Sequence, residues 1–177
     1  MSPVKEIWDG YYRDGSLAGI DFIRGQRIPD GYYHLTCDVL VQHTDGDFLL
    51  MRRDLSKTNY GGLYEATAGG AALKGEDAIT CVKRELKEET GISEGVFTEL
   101  GSDVIDERKC ICHVFLCITN CDKSSIALQE GETMDYKWIS EDQFIEFINS
   151  GNMISSQKKL YSDFFIKKGY CKNNELY

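Results

Sequence analysis

The sequence has little of three features that would place the protein in other classes. It contains 2 prolines in 177 residues, and no linker, repeat or low-complexity tract divides it. Lysine and arginine number 20 against 29 aspartates and glutamates, so the formal net charge is −9. No stretch approaches the roughly 20 apolar residues that span a bilayer. We therefore expect neither a nucleic-acid polymer nor a membrane as a partner, whereas a small phosphorylated ligand remains compatible if a metal carries positive charge.

The seven cysteines lack the spacing of a disulfide or zinc framework. Their number is odd, and no pair has the C-x-x-C pattern. Cys110, Cys112 and Cys117 lie along an apolar run, which is typical of buried thiols in a strand. Residues 1–15 contain no apolar core of signal-peptide length. These features predict a reducing, cytoplasmic compartment.

Hydrophobic patterns predict an α/β fold in a single domain over residues 1–177. Strands are predicted over residues 34–43, 48–53, 64–68, 96–100, 109–118 and 135–139. Helices are predicted over residues 76–90, about 140–149 and 154–167. A short strand region is expected at 1–33 and a C-terminal helical segment at 140–177. This order indicates a mixed sheet packed between helices.

The predicted helix over 76–90 carries three carboxylates on one arc. Successive residues of a helix are rotated by about 100° around its axis. When Ala78 is set at zero, the apolar stripe is centred at roughly 50°. Glu85, Glu88 and Glu89 then fall at roughly 340°, 280° and 20°. Like charges at this spacing weaken a helix, and partly buried carboxylates need a counter-charge. A divalent cation such as Mg²⁺ supplies one, and a backbone carbonyl of the preceding Gly69-Gly70 pair could join its ligands.

Residues 69–92, GGAALKGEDAITCVKRELKEETGI, resemble the Nudix box at every specified position. Counted as residues 70–92, the box has these specified residues: Gly70, Glu76, Arg84, Glu85, Leu86, Glu88, Glu89, Gly91 and Ile92. The resemblance implies the Nudix fold, an α/β/α sandwich with a mixed β-sheet. It also implies a hydrolase, dependent on Mg²⁺ or Mn²⁺, that cleaves a phosphoanhydride bond in a nucleoside diphosphate linked to another moiety.

The resemblance also implies roles for individual residues of the box. Glu85 and Glu89 would be the principal metal ligands, and Glu88 and the Gly69 carbonyl would assist them. Arg84 would act in catalysis by orienting Glu85. Similar proteins often form dimers through N-terminal strands, so a homodimer is one expected assembly.

Residues outside the box are similar to the isopentenyl-diphosphate-isomerase-like branch of the family. The similarity covers roughly residues 6–140 and includes Trp8 and the Arg52-Arg53 pair. Isomerases of this branch place a nucleophilic cysteine and a metal-binding histidine before the helix, where this sequence has Ala68 and Ala71. An isomerase acting on isopentenyl diphosphate and a non-catalytic nucleotide sensor therefore remain as alternatives to the hydrolase.

Four residues beyond the box are candidates for catalysis or substrate binding. The segment QEGETMDYKWIS resembles the region where many Nudix enzymes supply another acid. Glu132 and Glu130 are both candidates there for an outer metal ligand or general base, and Glu85 is a third candidate for the base. Glu130 is also predicted to contact the substrate. Arg52 and Tyr64 are also predicted to bind the substrate, the latter by stacking on a base.

Overall fold

The structure is a computed structural model that describes residues 5–171. It contains nine strands in this range: β1 Ile7–Tyr11, β2 Leu17–Ile23, β3 His34–His43, β4 Phe48–Arg53, β5 Tyr64–Glu65, β6 Thr67–Ala71, β7 Val96–Ile105, β8 Cys110–Thr119 and β9 Thr133–Ile139. The helices described are α1 Ala78–Thr90, α2 Glu141–Asn149, α3 Ser155–Leu160 and α4 Ser162–Lys168. None of these helices is both long and apolar enough to cross a membrane.

The predicted mixed sheet is confirmed, and β3 is its central strand. The order is β5-β4-β3-β8-β7, with β6 paired to β3 and β9 paired to β4. Strands β3 and β8 run parallel from the pair His34–Cys110 to the pair His43–Thr119, whereas the other pairs are antiparallel. Residues 44–47 form the turn between β3 and β4, and Gln42 pairs with Phe48 across it.

Helices cover both faces of the sheet, which gives the expected α/β/α sandwich. Alternate residues of a strand point to opposite faces, so Val39 and Val41 pack against α1 while Leu40 packs against α2, α3 and α4. On the first face the helix contributes Cys81, Val82 and Leu86, all fully buried. On the second face the cluster includes Phe48, Leu50, Phe144, Ile148, Tyr161 and Phe165.

The helix that carries the glutamates begins two residues later than predicted. Asp77 is its N-cap, and the Asp77 carboxylate accepts a hydrogen bond from the Thr80 amide. The Glu76 carboxylate instead accepts from the Leu73 amide at 2.9 Å, which holds the turn before the helix. The helix ends at Thr90, the predicted end, and Gly91 follows with a φ of 77°, a left-handed conformation that glycine adopts without steric cost.

Three other predicted boundaries are wrong. The predicted strand over 64–68 is two strands, β5 and β6, because the first pairs with β4 and the second with β3. Strand β7 extends five residues beyond the predicted end at Leu100, through a bulge before Gly101. The predicted helix over 154–167 is broken at Tyr161, whose side chain is fully buried. The terminal parts of the regions 1–33 and 140–177 lie outside the described residues.

The hairpin of β1 and β2 packs beside the start of α1. Trp8 and Phe22 form a small buried cluster with Ile28, and Leu73 packs against it. The hairpin is also bound to the turn before the helix, because the Gly75 amide donates to Asp9 Oδ2 at 2.6 Å. The N-terminal region therefore forms part of the surroundings of the glutamate helix.

Candidate active site

Arg84 forms hydrogen bonds with three acids of the box through one guanidinium group. Its Nε and Nη2 donate to the two oxygens of Glu76 at 2.7 and 2.9 Å. Its Nη1 donates to Glu85 Oε1 at 2.7 Å and to Glu88 Oε2 at 3.2 Å. Nη2 also donates to the Ala71 carbonyl at 3.0 Å, so the guanidinium is fixed to the backbone of β6. The guanidinium group thus fixes the orientation of the Glu85 carboxylate through Oε1.

The Glu85 carboxylate lies directly against the backbone of Gly70. A Cβ atom placed on Gly70 would be only 2.5 Å from Glu85 Oε1, so a side chain at this position would displace the carboxylate. Burial raises the pKa of Glu85 above its usual range; Arg84 opposes this shift and the charge of Glu88 adds to it. The absence of a side chain at Gly70 therefore allows the Glu85 carboxylate to lie against strand β6.

Glu89 occupies the neighbouring position one turn further along α1. Its Oε1 accepts a hydrogen bond from the Gly69 amide at 3.2 Å. Burial raises the pKa of Glu89 well above its ordinary value, and the nearby charges of Glu65, Glu85 and Glu132 raise it further. A carboxylate in this environment is stabilised by the binding of a cation.

Two cavities meet at Glu89. The first, the helix cavity, has a volume of about 300 Å³ and is lined by Glu6, Trp8, Gly70, Arg84, Glu85 and Glu88. The second, the inner cavity, has a volume of about 250 Å³ and is lined by Asp38, Arg53, Glu65, Thr67, Thr133 and Gln157. Gly69, Glu89 and Glu132 line both of them. A diphosphate at the glutamates would therefore have a second pocket beside it.

Glu132 lies at the junction of the cavities, where the sequence predicted a catalytic acid. Its carboxylate forms an ion pair with Lys57, which belongs to the loop between β4 and β5. The Glu132 carbonyl accepts a hydrogen bond from the Asp54 amide at 2.9 Å, which binds the same loop to the start of β9. The position fits an outer ligand or base, and that role stays a prediction.

The three residues that were predicted to bind the substrate do not line either cavity. The Arg52 Nε donates to the Gly62 carbonyl at 3.0 Å, and the Tyr64 hydroxyl donates to Asp135 Oδ2 at 2.8 Å. Because strand residues alternate, their neighbours Arg53 and Glu65 point into the inner cavity instead.

Glu130 is exposed, and it is Gln129 beside it that lines the helix cavity. Substrate binding by Arg52, Tyr64 and Glu130 stays a prediction that this geometry does not support. The geometry instead favours the residues next to them in the sequence.

Several residues at the site had not been selected from the sequence. Glu6 and Trp8 enter the helix cavity from the hairpin, and Asp38 and Gln157 enter the inner cavity from β3 and α3. Gln157 Nε2 donates to Glu65 Oε2 at 3.0 Å and to Thr67 Oγ1 at 2.7 Å. No local motif marks these residues, because only the packing of distant elements brings them to the glutamates.

The donor chemistry of the site fits a divalent cation of the Mg²⁺ type. Glu85, Glu88 and Glu89 supply carboxylate oxygens, the ligands that this ion prefers. Within residues 5–171, however, no three acidic, histidine or cysteine side chains are gathered closely enough to form a complete metal site. Arg84 forms ion pairs with one oxygen each of Glu85 and Glu88. Glu85, Glu89 and the assisting Glu88 are the residues that would hold the ion.

Comparison with known proteins gives a family match over most of the chain. The sequence profile of the NUDIX domain matches residues 32–164. A protein of Listeria monocytogenes described as an uncharacterized Nudix hydrolase is 25% identical over 149 residues, which cover 84% of this chain and 88% of that protein.

Two solved structures resemble this fold. A MutT protein from Methanosarcina mazei Go1 superposes with a TM-score of 0.60 at 26% identity, over 77% of this chain and 95% of the other. A protein from Deinococcus radiodurans superposes with a TM-score of 0.64 at 16% identity, over 82% of this chain and 90% of the other. The second likeness concerns the fold alone.

Proposed function

Because its residues 32–164 match the NUDIX domain, the chain belongs to the Nudix family, and we propose that it is a Mg²⁺- or Mn²⁺-dependent pyrophosphohydrolase. Its substrate would be a nucleoside diphosphate linked to a second moiety, cleaved at the phosphoanhydride bond. The observation that carries this proposal is the pair Glu85 and Glu89, two carboxylates with raised pKa values that face one cavity beside Gly69-Gly70.

The protein's own residues would orient the reacting groups. Arg84 is itself held by Glu76 and binds Glu85 through Oε1. The second oxygen of Glu85 would then face the cavity. When bound, a divalent ion neutralises the diphosphate and favours formation of hydroxide from water. Glu132, which lines both cavities, would accept a proton from an attacking water as a general base.

The rival functions fit the residues less well. The isomerase-like branch would require a cysteine and a histidine where Ala68 and Ala71 stand in β6. His34, which matches one further isomerase ligand, is buried, stacks on Trp8 with ring centroids 4.4 Å apart, and its Nδ1 contacts the Lys109 carbonyl at 2.9 Å. The intact acids of the box, Glu85, Glu88 and Glu89, speak against a nucleotide sensor without turnover.

A substrate panel tests the proposed activity. It should contain sugar nucleotides, ADP-ribose, dinucleoside polyphosphates, NADH, CoA and nucleoside triphosphates, each assayed with Mg²⁺ and with Mn²⁺. We expect metal-dependent release of two phosphorylated products from at least one substrate, and its loss on chelation. A folded protein that binds these metals and hydrolyses none of the panel would contradict the proposal, and isotope exchange into isopentenyl diphosphate would favour the isomerase.

A further inference from the structure

The N-terminal hairpin brings an arginine to the cavity that contains the glutamates. Strands β1 and β2 precede residues 32–164, so the hairpin lies outside the match to the NUDIX domain. Trp8 pairs with Phe22, and the Arg24 amide donates to the Glu6 carbonyl at 3.0 Å. Because side chains alternate along paired strands, Glu6 and Arg24 point to the same face as the buried Trp8 and Phe22. Both of these charged residues line the helix cavity.

The backbone of the hairpin is fixed to the rest of the domain. Trp8 and Phe22 are buried and pack with Ile28. The Lys74 amide, in the turn before α1, donates to the Ile7 carbonyl at 2.8 Å. The hairpin is therefore in position before a ligand binds, which lowers the entropic cost of binding.

The side chain of Arg24, in contrast, is held by one carboxylate. Its Nη1 donates to Glu6 Oε1 at 2.7 Å, and no other acceptor within residues 5–171 binds this guanidinium. The side chains of Arg24 and Glu6 are 66% and 36% exposed. Exposed ion pairs of this kind contribute little to stability. Arg24 can therefore exchange Glu6 for another partner at little cost to the fold.

The charges around the helix cavity leave Arg24 as the available cation. Five glutamates and two arginines line this cavity. The other arginine, Arg84, already donates to Glu76, Glu85 and Glu88. A divalent cation at the glutamates would neutralise part of the charge of a diphosphate. Arg24 is the arginine of the described lining that is not bound to acids of the box.

The pairing of Arg24 with Glu6 opposes the binding of an anion. A guanidinium group binds phosphate well, because its planar fork can donate two parallel hydrogen bonds. While Nη1 is bound to Glu6, this fork is shared with a carboxylate. The charge of Glu6 also acts on the metal-binding side of the cavity: burial is the main cause of the raised pKa of Glu85, and Glu6 adds to it. The same charge would repel a phosphate there.

We propose, on the basis of the hydrolase function above, that Arg24 leaves Glu6 when the substrate binds and donates to a phosphate of its diphosphate. Negative charge increases on the phosphate oxygens as the phosphoanhydride bond breaks, so this guanidinium stabilises the transition state as well as the bound substrate. Glu6 competes with the substrate for Arg24 and thereby weakens substrate binding.

Two substitutions separate this role from a structural one. Arg24→Gln and Glu6→Gln break the same ion pair, so a purely structural role predicts the same effect for both. The proposal predicts opposite effects on the affinity for a diphosphate. Arg27→Gln is the matched control, because Arg27 is exposed after the same hairpin but lines a different cavity. Arg24→Lys keeps the charge without the fork and should bind with intermediate affinity.

Calorimetry in Mg²⁺ with methylenediphosphonate measures these affinities. This probe is a diphosphate analogue whose P–C–P bridge is not hydrolysed. Arg24→Gln should raise the dissociation constant at least about tenfold, as the loss of a charge-assisted hydrogen bond implies. Glu6→Gln should lower the dissociation constant, and Arg27→Gln should leave it unchanged. The thermal midpoints of all three variants should stay close to that of the wild type.

Three results would overturn the proposal: no measurable binding of methylenediphosphonate by the wild type, an unchanged affinity in Arg24→Gln, or equal weakening in Arg24→Gln and Glu6→Gln. The substrate panel separates this proposal from the hydrolase function. If Arg24→Gln weakens binding of the probe but the wild type cleaves no substrate, the role of Arg24 stands and the hydrolase function fails. If a substrate is cleaved with the same kcat/KM by Arg24→Gln, the hydrolase function stands and the role of Arg24 fails.

Discussion

The side-chain amide of Gln157 in α3 donates a hydrogen bond of 3.0 Å to the carboxylate of Glu65 in β5. These residues are 92 positions apart in the chain. The bond joins the C-terminal helices to the strand that faces the candidate active site. The C-terminal segment, which contains none of the box residues, thus forms part of the wall of the inner cavity.

Gln157→Leu should destabilise the protein. The change removes donors from the buried carboxylate of Glu65 and from Thr67, and we expect a loss of about 1–3 kcal/mol in the free energy of unfolding. Urea denaturation measures this loss. Gln26→Leu is the control, because Gln26 is exposed and its substitution should change the free energy by less than about 0.5 kcal/mol. Equal effects of the two substitutions would contradict the role assigned to Gln157.

Glu89→Gln should abolish activity without unfolding the protein. Loss of a principal metal ligand should lower kcat/KM by at least about 100-fold, as for metal-site substitutions generally. The folded-state pKa of Glu89 is raised, so its ionised form reduces stability above pH 4.5, the ordinary value. The glutamine variant should therefore have an equal or higher thermal midpoint at pH 8 without metal. Glu94→Gln, an exposed acid after the same helix, should change neither quantity.

The stability of the metal-free protein should fall as the pH rises from 5 to 8. Burial raises the pKa of Asp38 to about 6, and burial likewise raises the pKa of Glu65 despite its pairing with Arg53. The folded state then binds more protons than the unfolded state between the ordinary and the raised pKa values, so the free energy of unfolding decreases through that window. Urea denaturation in a chelator at several pH values measures this. A free energy that rises between pH 5 and 8 would contradict the expectation.

The two glycines before the helix should respond differently to alanine. At Gly69 a Cβ would lie 2.1 Å from the Cys37 carbonyl oxygen, a backbone atom that cannot move away easily. Gly69→Ala should therefore lower the thermal midpoint, with a cost of a few kcal/mol or failure to fold. At Gly70 the obstacle is the flexible Glu85 side chain, so Gly70→Ala should keep most of the stability and lose activity. Thermal melts and kcat measurements on both variants check this. A larger loss of thermal midpoint in Gly70→Ala than in Gly69→Ala would contradict it.

Addition of Mg²⁺ should stabilise the protein, because a cation at Glu85 and Glu89 relieves the cost of their buried charges. At 100 times the dissociation constant, mass action predicts about 2.7 kcal/mol. Thermal melts with increasing Mg²⁺ and with a chelator measure the shift. The shift should be much smaller in Glu89→Gln, and an equal shift in that variant would locate the ion elsewhere.

The local sequence predicted those features that depend on neighbouring residues. The strands predicted over 34–43 and 48–53 have the observed bounds, and the helix predicted over about 140–149 is found at Glu141–Asn149 with a Ser140–Gln143 capping box. The spacing of the glutamates along one helix also places Glu85 and Glu89 on the edge of the buried stripe, because helix geometry repeats every few residues. The family and the fold followed from the same segment.

Tertiary structure alone decided which residues stand opposite those glutamates. Strand geometry alone predicts that Arg52 and Arg53 point to opposite faces, and likewise Tyr64 and Glu65. Only the pairing of β4 with β5, and their position in the sheet, shows which face lines the cavity. Thr133 and Gln157 reach the same space from β9 and α3, far apart in the chain. Such contacts depend on the packing of whole elements, so no periodicity within a segment encodes them. The glutamate helix could therefore be predicted from the sequence, whereas the cavity beside it is formed only by the fold.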